Sequence, residues 1–175
     1  MSFKKYDNVY IADTACVLGE ITLYENVNIW YGASIRGDVA PITIGKNSNV
    51  QDNATIHCDG GFPNVIGESV TIGHNAVCHG ESIGNGCLIG MNCTILGHTK
   101  IGNNCIVAAG AVVPPGLVVP DNMVVMGVPG KIMRETNAEE RAFMEKNPPH
   151  YVKLAKLHYD CKTTDKRFIT WAGNI

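Results

Sequence analysis

The chain has 175 residues, enough for one domain with its own core, and it combines 19 glycines with only 7% aromatic residues. Its 14 basic and 16 acidic residues give a net charge of -2 without a basic cluster, which argues against nucleic-acid and membrane-surface partners. Residues 1–7 lack the apolar stretch of a signal peptide. No apolar run approaches the ~20 residues of a membrane span, so we expect a cytoplasmic protein.

From Ile11 to Val125 an aliphatic residue returns every six positions, with three slips in the count. Of nineteen such slots, eighteen hold isoleucine, valine or leucine, and the remaining one holds Cys78. A small or β-branched residue stands four positions after the aliphatic one, as Ala54 does after Val50. The aliphatic slots are Ile11, Val17, Leu23, Ile29, Ile35, Ile44, Val50, Ile56, Ile66, Ile72, Cys78, Ile83, Ile89, Ile95, Ile101, Val107, Val113, Val119 and Val125.

This period resembles the hexapeptide-repeat family, whose members fold as left-handed parallel β-helices of triangular section. The resemblance implies three hexapeptides to each coil, with the aliphatic residue pointing inward and the small residue fitting where the wall turns. Successive coils stack at the strand spacing of ~4.8 Å. We therefore expect an all-β solenoid over residues 1–130, followed by a C-terminal extension and tail over residues 131–175.

After residue 130 the period stops and helix signals begin. Asn137 and Glu140 form a capping box, which predicts a short helix ending near Lys146. The Pro148-Pro149 pair should break it, and residues 151–158 then give a second amphipathic stretch. We expect these C-terminal α-helices to pack on the flank of the β-helix.

The six-residue period slips at three places, and each slip begins beside a residue able to do chemistry: Arg36, His57 or His79. Each of these residues comes directly after an aliphatic slot. From one of them to the next is three slots, the length of one coil. We therefore expect them to form a column along one edge. By the same count Asp52 and His74 form a second column.

The two columns predict a metal site shared between subunits. Histidines stacked one strand spacing apart, ~5 Å, can bind one ion together, as His57 and His79 would. His74 precedes His79 along extended chain by up to ~16 Å, so we expect it to join the pair of a neighbouring subunit instead. Three neutral histidines with one open position are a catalytic zinc arrangement, and the metal lowers the pKa of bound water to about 7. The other histidines are expected at the surface: His98, His150 and His158.

At these positions the sequence resembles the gamma class of carbonic anhydrases. The resemblance implies a homotrimer with metal ions at its subunit interfaces, where one subunit gives His57 and His79 and the next gives His74. It also implies reversible hydration of CO2 to bicarbonate by a metal-bound hydroxide. The metal would be Zn2+, with Fe2+ or Co2+ as alternatives that three histidines also accept. The matching segments are Arg36-Gly37-Asp38, Asn49-Val50-Gln51-Asp52, Thr55-Ile56-His57 and residues 72–80.

The resemblance also assigns roles to residues around the metal. Arg36 and Asp52 would form an ion pair across the interface, supported by Asp38. Gln51 would orient the metal-bound hydroxide, and Asn49 would line the pocket.

The chain departs from the best-studied active members near the proton exit. Val39 stands where they have glutamate, and the short loop after His57 has Asp59 as its one carboxylate. These departures concern proton export, not metal binding. Tyr151 or Tyr159 is a further candidate for the pocket.

Three other functions stay open at this point. Hexapeptide proteins are often coenzyme A-dependent acyltransferases, and the segment 127–131 resembles the coil ending that such proteins share, although they need one histidine and no metal triad. A metal-dependent thioesterase could use the same metal site. A non-catalytic, metal-binding trimeric assembly module is the third alternative.

Overall fold

The computed structural model describes residues 2–160, which form nineteen β-strands and one α-helix. The strands are β1 (Phe3–Tyr6), β2 (Val9–Ala12), β3 (Cys16–Leu23), β4 (Asn28–Ile29), β5 (Ser34–Ile44), β6 (Asn49–Val50), β7 (Thr55–Ile56), β8 (Asn64–Ile66), β9 (Thr71–Ile72), β10 (Val77–Cys78), β11 (Ser82–Ile83), β12 (Leu88–Ile89), β13 (Thr94–Ile95), β14 (Lys100–Ile101), β15 (Ile106–Val107), β16 (Val112–Val113), β17 (Val118–Val119), β18 (Met123–Met126) and β19 (Lys131–Glu135). The helix, α1, spans Ala138–Asp160.

Strands one coil apart pair in parallel and in the register of the repeat. In β7, β10 and β13, for example, Ile56 aligns with Cys78 and Cys78 with Ile95. One sheet runs β1-β2-β4-β6-β9-β12-β15-β18-β19. The other runs β16-β13-β10-β7-β5-β8-β11-β14-β17, and the long strand β5 joins two walls of the solenoid within it. The left-handed parallel β-helix of hexapeptide repeats is thereby confirmed, as a solenoid of about six turns.

The aliphatic slots form the core. From Ile29 to Val125 every slot residue is at most 3% exposed. The three earlier slots, Ile11 to Leu23, are only partly buried, because the first coil is covered on one side only. Most of the small-residue slots are buried too, which explains the cysteines that they hold: Cys87, Cys93 and Cys105.

The corners of the coils use the left-handed backbone conformation. Asn75 has φ 58° and Asn104 has φ 53°, and each directly precedes a buried small residue. Asparagine tolerates positive φ better than other residues with a side chain. The chain can therefore turn sharply just where the small residue leaves room for the wall to bend.

The two helices predicted after the solenoid are one continuous helix, so the predicted break at Pro148-Pro149 is wrong. The residues of α1 that are buried lie at the spacing of one helical face: Met144, Pro148, Val152 and Ala155. Pro148 is itself part of this apolar face, and packing on the solenoid offsets the backbone hydrogen bonds that the prolines remove. The capping box at the start is confirmed, since the Glu140 amide donates to the Asn137 side chain (2.9 Å) and the Asn137 amide to the Glu140 carboxylate (2.8 Å).

Helix α1 lies along the first sheet, in contact with β1, β2, β4, β6 and β9, so the predicted flank packing is confirmed. The division at residue 130 stays a prediction, and β19 still pairs antiparallel with β18 beyond it. The predicted tail at 161–175 lies outside the described residues. Within residues 2–160 no helix has the length and apolar character to cross a membrane.

Candidate metal centre

His57 and His79 stand one above the other on successive coils. His57 follows β7 and His79 follows β10, two strands paired in register, so the backbone alone places the side chains in one column. Their ring centres are 5.3 Å apart and the ring planes cross at 75°. This is the stacking that the repeat phase predicts.

The backbone of the preceding coil fixes the ring of His57. Nδ1 of His57 lies 2.6 Å from the carbonyl oxygen of Arg36. Because a carbonyl only accepts hydrogen bonds, Nδ1 carries the proton and donates, and the neutral ring keeps its lone pair on Nε2. His57 is thereby held in the tautomer that binds a metal through Nε2.

His79 has a carboxylate beside the same ring atom. Oδ2 of Asp59 is 3.7 Å from Nδ1 of His79. Asp59 reaches this place over Gly97, where any side chain would collide with its carboxylate. The short loop after His57 therefore returns its one carboxylate to the second histidine of the pair.

The second predicted column is also present. Oδ2 of Asp52 lies 2.9 Å from Nδ1 of His74, and the two side chains are 33% and 37% exposed. A carboxylate on one ring nitrogen of a histidine fixes the ring and makes the other nitrogen a stronger ligand. His74 is thus prepared for a ligand through Nε2, on the opposite side of the ring from Asp52.

Within residues 2–160 of a single chain, no three histidine, cysteine or acidic side chains come close enough to hold an ion together. The chain instead presents a pair, His57 and His79, and a separate histidine, His74. Each of the three has Nδ1 turned towards an oxygen, and among residues 2–160 its Nε2 makes no hydrogen bond. As a donor set, three such imidazoles suit a divalent transition metal.

Arg36 pairs with Asp38 in the single chain, through bonds of 2.8 and 2.6 Å from Nη1 to the two carboxylate oxygens. The hydrogen bond from Arg36 holds the pKa of Asp38 below its usual value. The pair predicted between Arg36 and Asp52 would need a second subunit, and it stays a prediction.

Gln51 and Asn49 lie beside the second column, under helix α1. They are 3% and 0% exposed, and Nε2 of Gln51 donates to Oδ1 of Asn49 at 3.1 Å. Gln51 lines a groove of about 320 Å³ between the sheet and the helix, which Tyr151 also lines. Tyr159 packs on Tyr10 instead, with ring centres 6.0 Å apart. Of the two candidate tyrosines, Tyr151 is therefore the one beside Gln51.

Of the three histidines expected at the surface, His98 and His150 are exposed and His158 is half-buried. His98 is exposed and pairs with Glu81 at 3.0 Å, and His150 is exposed on the helix. His158 is half-buried, with Nδ1 2.9 Å from the hydroxyl of Tyr31, and burial lowers its pKa. The helical pattern did not show that α1 would place His158 against aromatic rings of the first coils.

The sequence analysis missed Thr71 and Asn147, which bond to one another beside Gln51. Thr71 had a detectable signal, because Asn28, Asn49 and Thr71 each precede an aliphatic slot and are three slots apart. Asn147 had none, since only the packing of the helix brings it to the sheet.

Comparison with known families matches two models of the repeat. Residues 82–115 match "Bacterial transferase hexapeptide (six repeats)", and residues 63–96 match "Hexapeptide repeat of succinyl-transferase". Both family models describe the hexapeptide repeat that forms the coils.

Similar whole proteins include carbonic anhydrases. A "Probable carbonic anhydrase" of Methanocaldococcus jannaschii is 50% identical over 149 residues, which is 85% of this chain and 94% of that protein. "Gamma carbonic anhydrase 2, mitochondrial" of Arabidopsis thaliana is 34% identical over 86% of this chain, which spans 56% of the plant protein. Among solved structures, a hexapeptide transferase family protein from Anaplasma phagocytophilum superposes with a TM-score of 0.82 at 31% identity, over 86% of this chain and 89% of that one.

Proposed function

This chain belongs to the gamma-carbonic-anhydrase-like hexapeptide-repeat proteins, and from that premise we propose that it hydrates CO2 reversibly to bicarbonate at a metal ion held between the subunits of a homotrimer. One observation carries the proposal. His57 and His79 stack 5.3 Å apart with Nδ1 of each ring facing an oxygen, while His74 stands apart with a carboxylate of its own. A pair and a separate third ligand are what a threefold assembly needs to build one three-histidine site per interface.

A bound divalent ion would supply a water molecule whose pKa is lowered to about 7. His57 and His79 would hold the ion from one subunit and His74 from the next, in rings already oriented by the carbonyl of Arg36 and by Asp52. Gln51 would orient the attacking water, because its Nε2 is engaged by Asn49 and its carbonyl oxygen makes no hydrogen bond within residues 2–160.

Asp59 and Arg36 complete the proposed site. Asp59 is 43% exposed beside His79, so it offers a carboxylate in contact with solvent that could take a proton leaving the site. Arg36 is 48% exposed and can offer its remaining donors to Asp52 of a neighbouring subunit while it keeps Asp38. An ion pair there would tie assembly of the trimer to orientation of His74.

We propose Zn2+ as the metal, with Fe2+ and Co2+ as alternatives, since geometry and availability and not affinity alone select among them. We also propose a cytoplasmic location.

The test is stopped-flow CO2 hydration by protein reconstituted with zinc, and in parallel with iron under anaerobic conditions. The wild-type protein should accelerate hydration in at least one metal form. His57→Ala and His79→Ala should lose both the metal and the acceleration. His150→Ala, which alters an exposed histidine on α1, is the matched control and should keep both. Metal-loaded trimer without hydration activity would contradict the proposal.

The groove beside Gln51 favours a second candidate, an acyltransferase or a metal-dependent thioesterase acting on coenzyme A thioesters. Its walls are mainly apolar, and Leu88, Met91 and Phe143 are among them. Thiol release from acetyl-coenzyme A tests it: release with water alone indicates hydrolysis, and release only after a primary amine or alcohol acceptor is added indicates transfer. Loss of hydrolysis in His57→Ala would assign it to the metal site, whereas acceptor-dependent release that persists in His57→Ala would indicate a transferase site that does not use the metal.

A further inference from the structure

A chain of side-chain hydrogen bonds joins Gln51 to helix α1. Nε2 of Gln51 donates to Oδ1 of Asn49 at 3.1 Å, and Nδ2 of Asn49 donates to Oγ1 of Thr71 at 3.0 Å. Nδ2 of Asn147, on the helix, donates to the same oxygen of Thr71 at 3.2 Å. The candidate site is thereby connected to an element that contributes no metal ligand.

The sheet residues of this network are almost fully buried in the single chain. Asn49, Gln51 and Thr71 are at most 3% exposed. Asn49 and Thr71 align in the paired strands β6 and β9, so the coil spacing sets the distance between them. A buried amide that loses its partner costs more than the bond itself contributes, so these groups strongly prefer the arrangement in which all bonds are made.

The helix end of the network is fixed by packing. Asn147 lies directly before Pro148, and Met144 and Pro148 are buried against the sheet on either side of it. The apolar contacts of these two residues hold the helix at the height at which Asn147 reaches Thr71.

We propose that Thr71 and Asn147 are positioning residues that set the orientation of the Gln51 side-chain amide. The inference rests on the proposed function, in which Gln51 orients the attacking water.

The donor and acceptor roles in these hydrogen bonds explain how Thr71 and Asn147 influence the orientation of the Gln51 amide. A threonine oxygen has two lone pairs, and the two asparagine amides use both. With both amides donating to Thr71, Asn49 turns its NH2 group to Thr71 and its carbonyl to Gln51. Gln51 in turn must give its NH2 group to Asn49, which leaves its carbonyl oxygen for the groove. If Asn49 flipped, Thr71 would donate its hydroxyl proton to the Asn49 carbonyl, and Gln51 would have to turn its own carbonyl to Asn49 and its NH2 group to the groove.

Two glycines follow Gln51 in its column of the solenoid. In the next coil its column holds Gly73, which has no side chain, and the coil after that holds Gly90. Both glycines line the groove together with Gln51. The Gln51 side chain therefore borders the groove between the sheet and helix α1.

The test replaces the shared acceptor and the helix donor in turn. Thr71→Val keeps the shape and removes the oxygen, Thr71→Ser restores the oxygen, and Asn147→Leu removes the helix donor. Thr94→Val is the matched control, because Thr94 also precedes an aliphatic slot but its hydroxyl makes no hydrogen bond within residues 2–160. Thermal unfolding and metal content identify any variant that fails to fold or to load.

The first readout is the side-chain amide of Gln51 in the metal-free protein, followed by 15N NMR and assigned with Gln51→Glu. In Thr71→Val and Asn147→Leu its signals should shift and its hydrogen exchange should speed up at least about fivefold, the factor for one lost hydrogen bond. Thr71→Ser and Thr94→Val should match the wild type. Unchanged Gln51 signals in either Thr71→Val or Asn147→Leu would overturn the proposal.

The second readout is kinetic and separates this inference from the proposed function. In metal-loaded protein, kcat should fall about fivefold or more in Thr71→Val at unchanged metal content, and Thr71→Ser should restore it. A wild-type protein without hydration activity would defeat the proposed function alone, because the amide signals of Gln51 would still decide whether Thr71 and Asn147 orient it.

Discussion

Asp52 and His74 are paired on successive coils, with Oδ2 of Asp52 2.9 Å from Nδ1 of His74. The pair is built by register alone, since Val50 and Ile72 align in β6 and β9 and each partner lies two residues beyond. Asp52 thus acts on the one proposed metal ligand that stands apart from the other two.

Asp52→Asn should weaken metal binding about 10–100-fold, the usual cost of losing the partner that orients a metal-binding histidine. The amide is nearly the same size, so folding should be unaffected. Competition with a chelator, in protein confirmed to be trimeric, measures the affinity. Asp121→Asn is the control, because Asp121 also bonds to a residue of the neighbouring coil, Asn103, but far along the solenoid. Equal affinities in the two variants would show that Asp52 does not serve the metal.

Co-refolding two metal-free variants tests whether the site is shared. His74→Ala lacks the separate ligand and His57→Ala lacks one of the pair, so neither should bind metal alone. In a mixed trimer one interface joins an intact pair to an intact His74, and about one site per trimer should return. Metal analysis of heterotrimers identified by native mass spectrometry gives the count. A site made within one chain would stay empty in every mixture.

Packing of the helix on the first coils is tested at Ala155. This residue is fully buried against Trp30 and its aromatic neighbours. Ala155→Leu should lower the free energy of unfolding by about 1–3 kcal/mol, because the extra atoms have no space. Ala142→Leu, at an exposed position of the same helix, should change it little. Thermal or denaturant unfolding compares them, and equal stabilities would refute the packing described for α1.

The start of α1 should give the protein a pH-dependent stability. Arg134 and the Asn137 amide lower the pKa of Glu140 to about 2, from 4.5. Because the pKa is lower in the folded state, the ionised carboxylate stabilises the fold above pH ~4.5, and this contribution is lost as the pH falls towards ~2. It should be below about 1 kcal/mol, since Glu140 belongs to a surface ion pair.

Glu140→Gln removes this contribution. The difference in melting temperature between wild type and variant should be constant near neutral pH and shrink as the solution is acidified below pH ~4.5. Glu139→Gln, next to it in the first turn, is the control and should show a smaller difference throughout. A Glu140→Gln difference that grows on acidification would contradict the assignment.

The repeat made the fold predictable from the sequence, because in a parallel solenoid the spacing of residues along the chain fixes which residues lie above one another on successive coils. Three slots are one coil, so the stacking of His57 on His79 and of Asp52 on His74 followed from counting. The counting worked even across the slips, since the aliphatic slot after each slip resumes the register, as Ile44 does beside Leu23, Ile66 beside Ile44 and Ile83 beside Ile66.

The helix was harder to predict because its conformation depends on the surface beneath it. Pro148-Pro149 signals a break in an isolated segment, yet Pro148 is buried on the apolar face of a continuous helix. The same packing brought His158 to Tyr31 and Asn147 to Thr71, contacts for which residues 137–160 carry no spacing rule.

The sequence by itself determined the coil, its core, the capping box and the two columns of site residues, because each depends on a period or on neighbours along the chain. Only the tertiary structure decided which ring atom of each histidine faces an oxygen, and which helix residues meet the sheet. Those details come from contacts between segments far apart in the chain, where geometry and burial select one arrangement among several that the residue types allow.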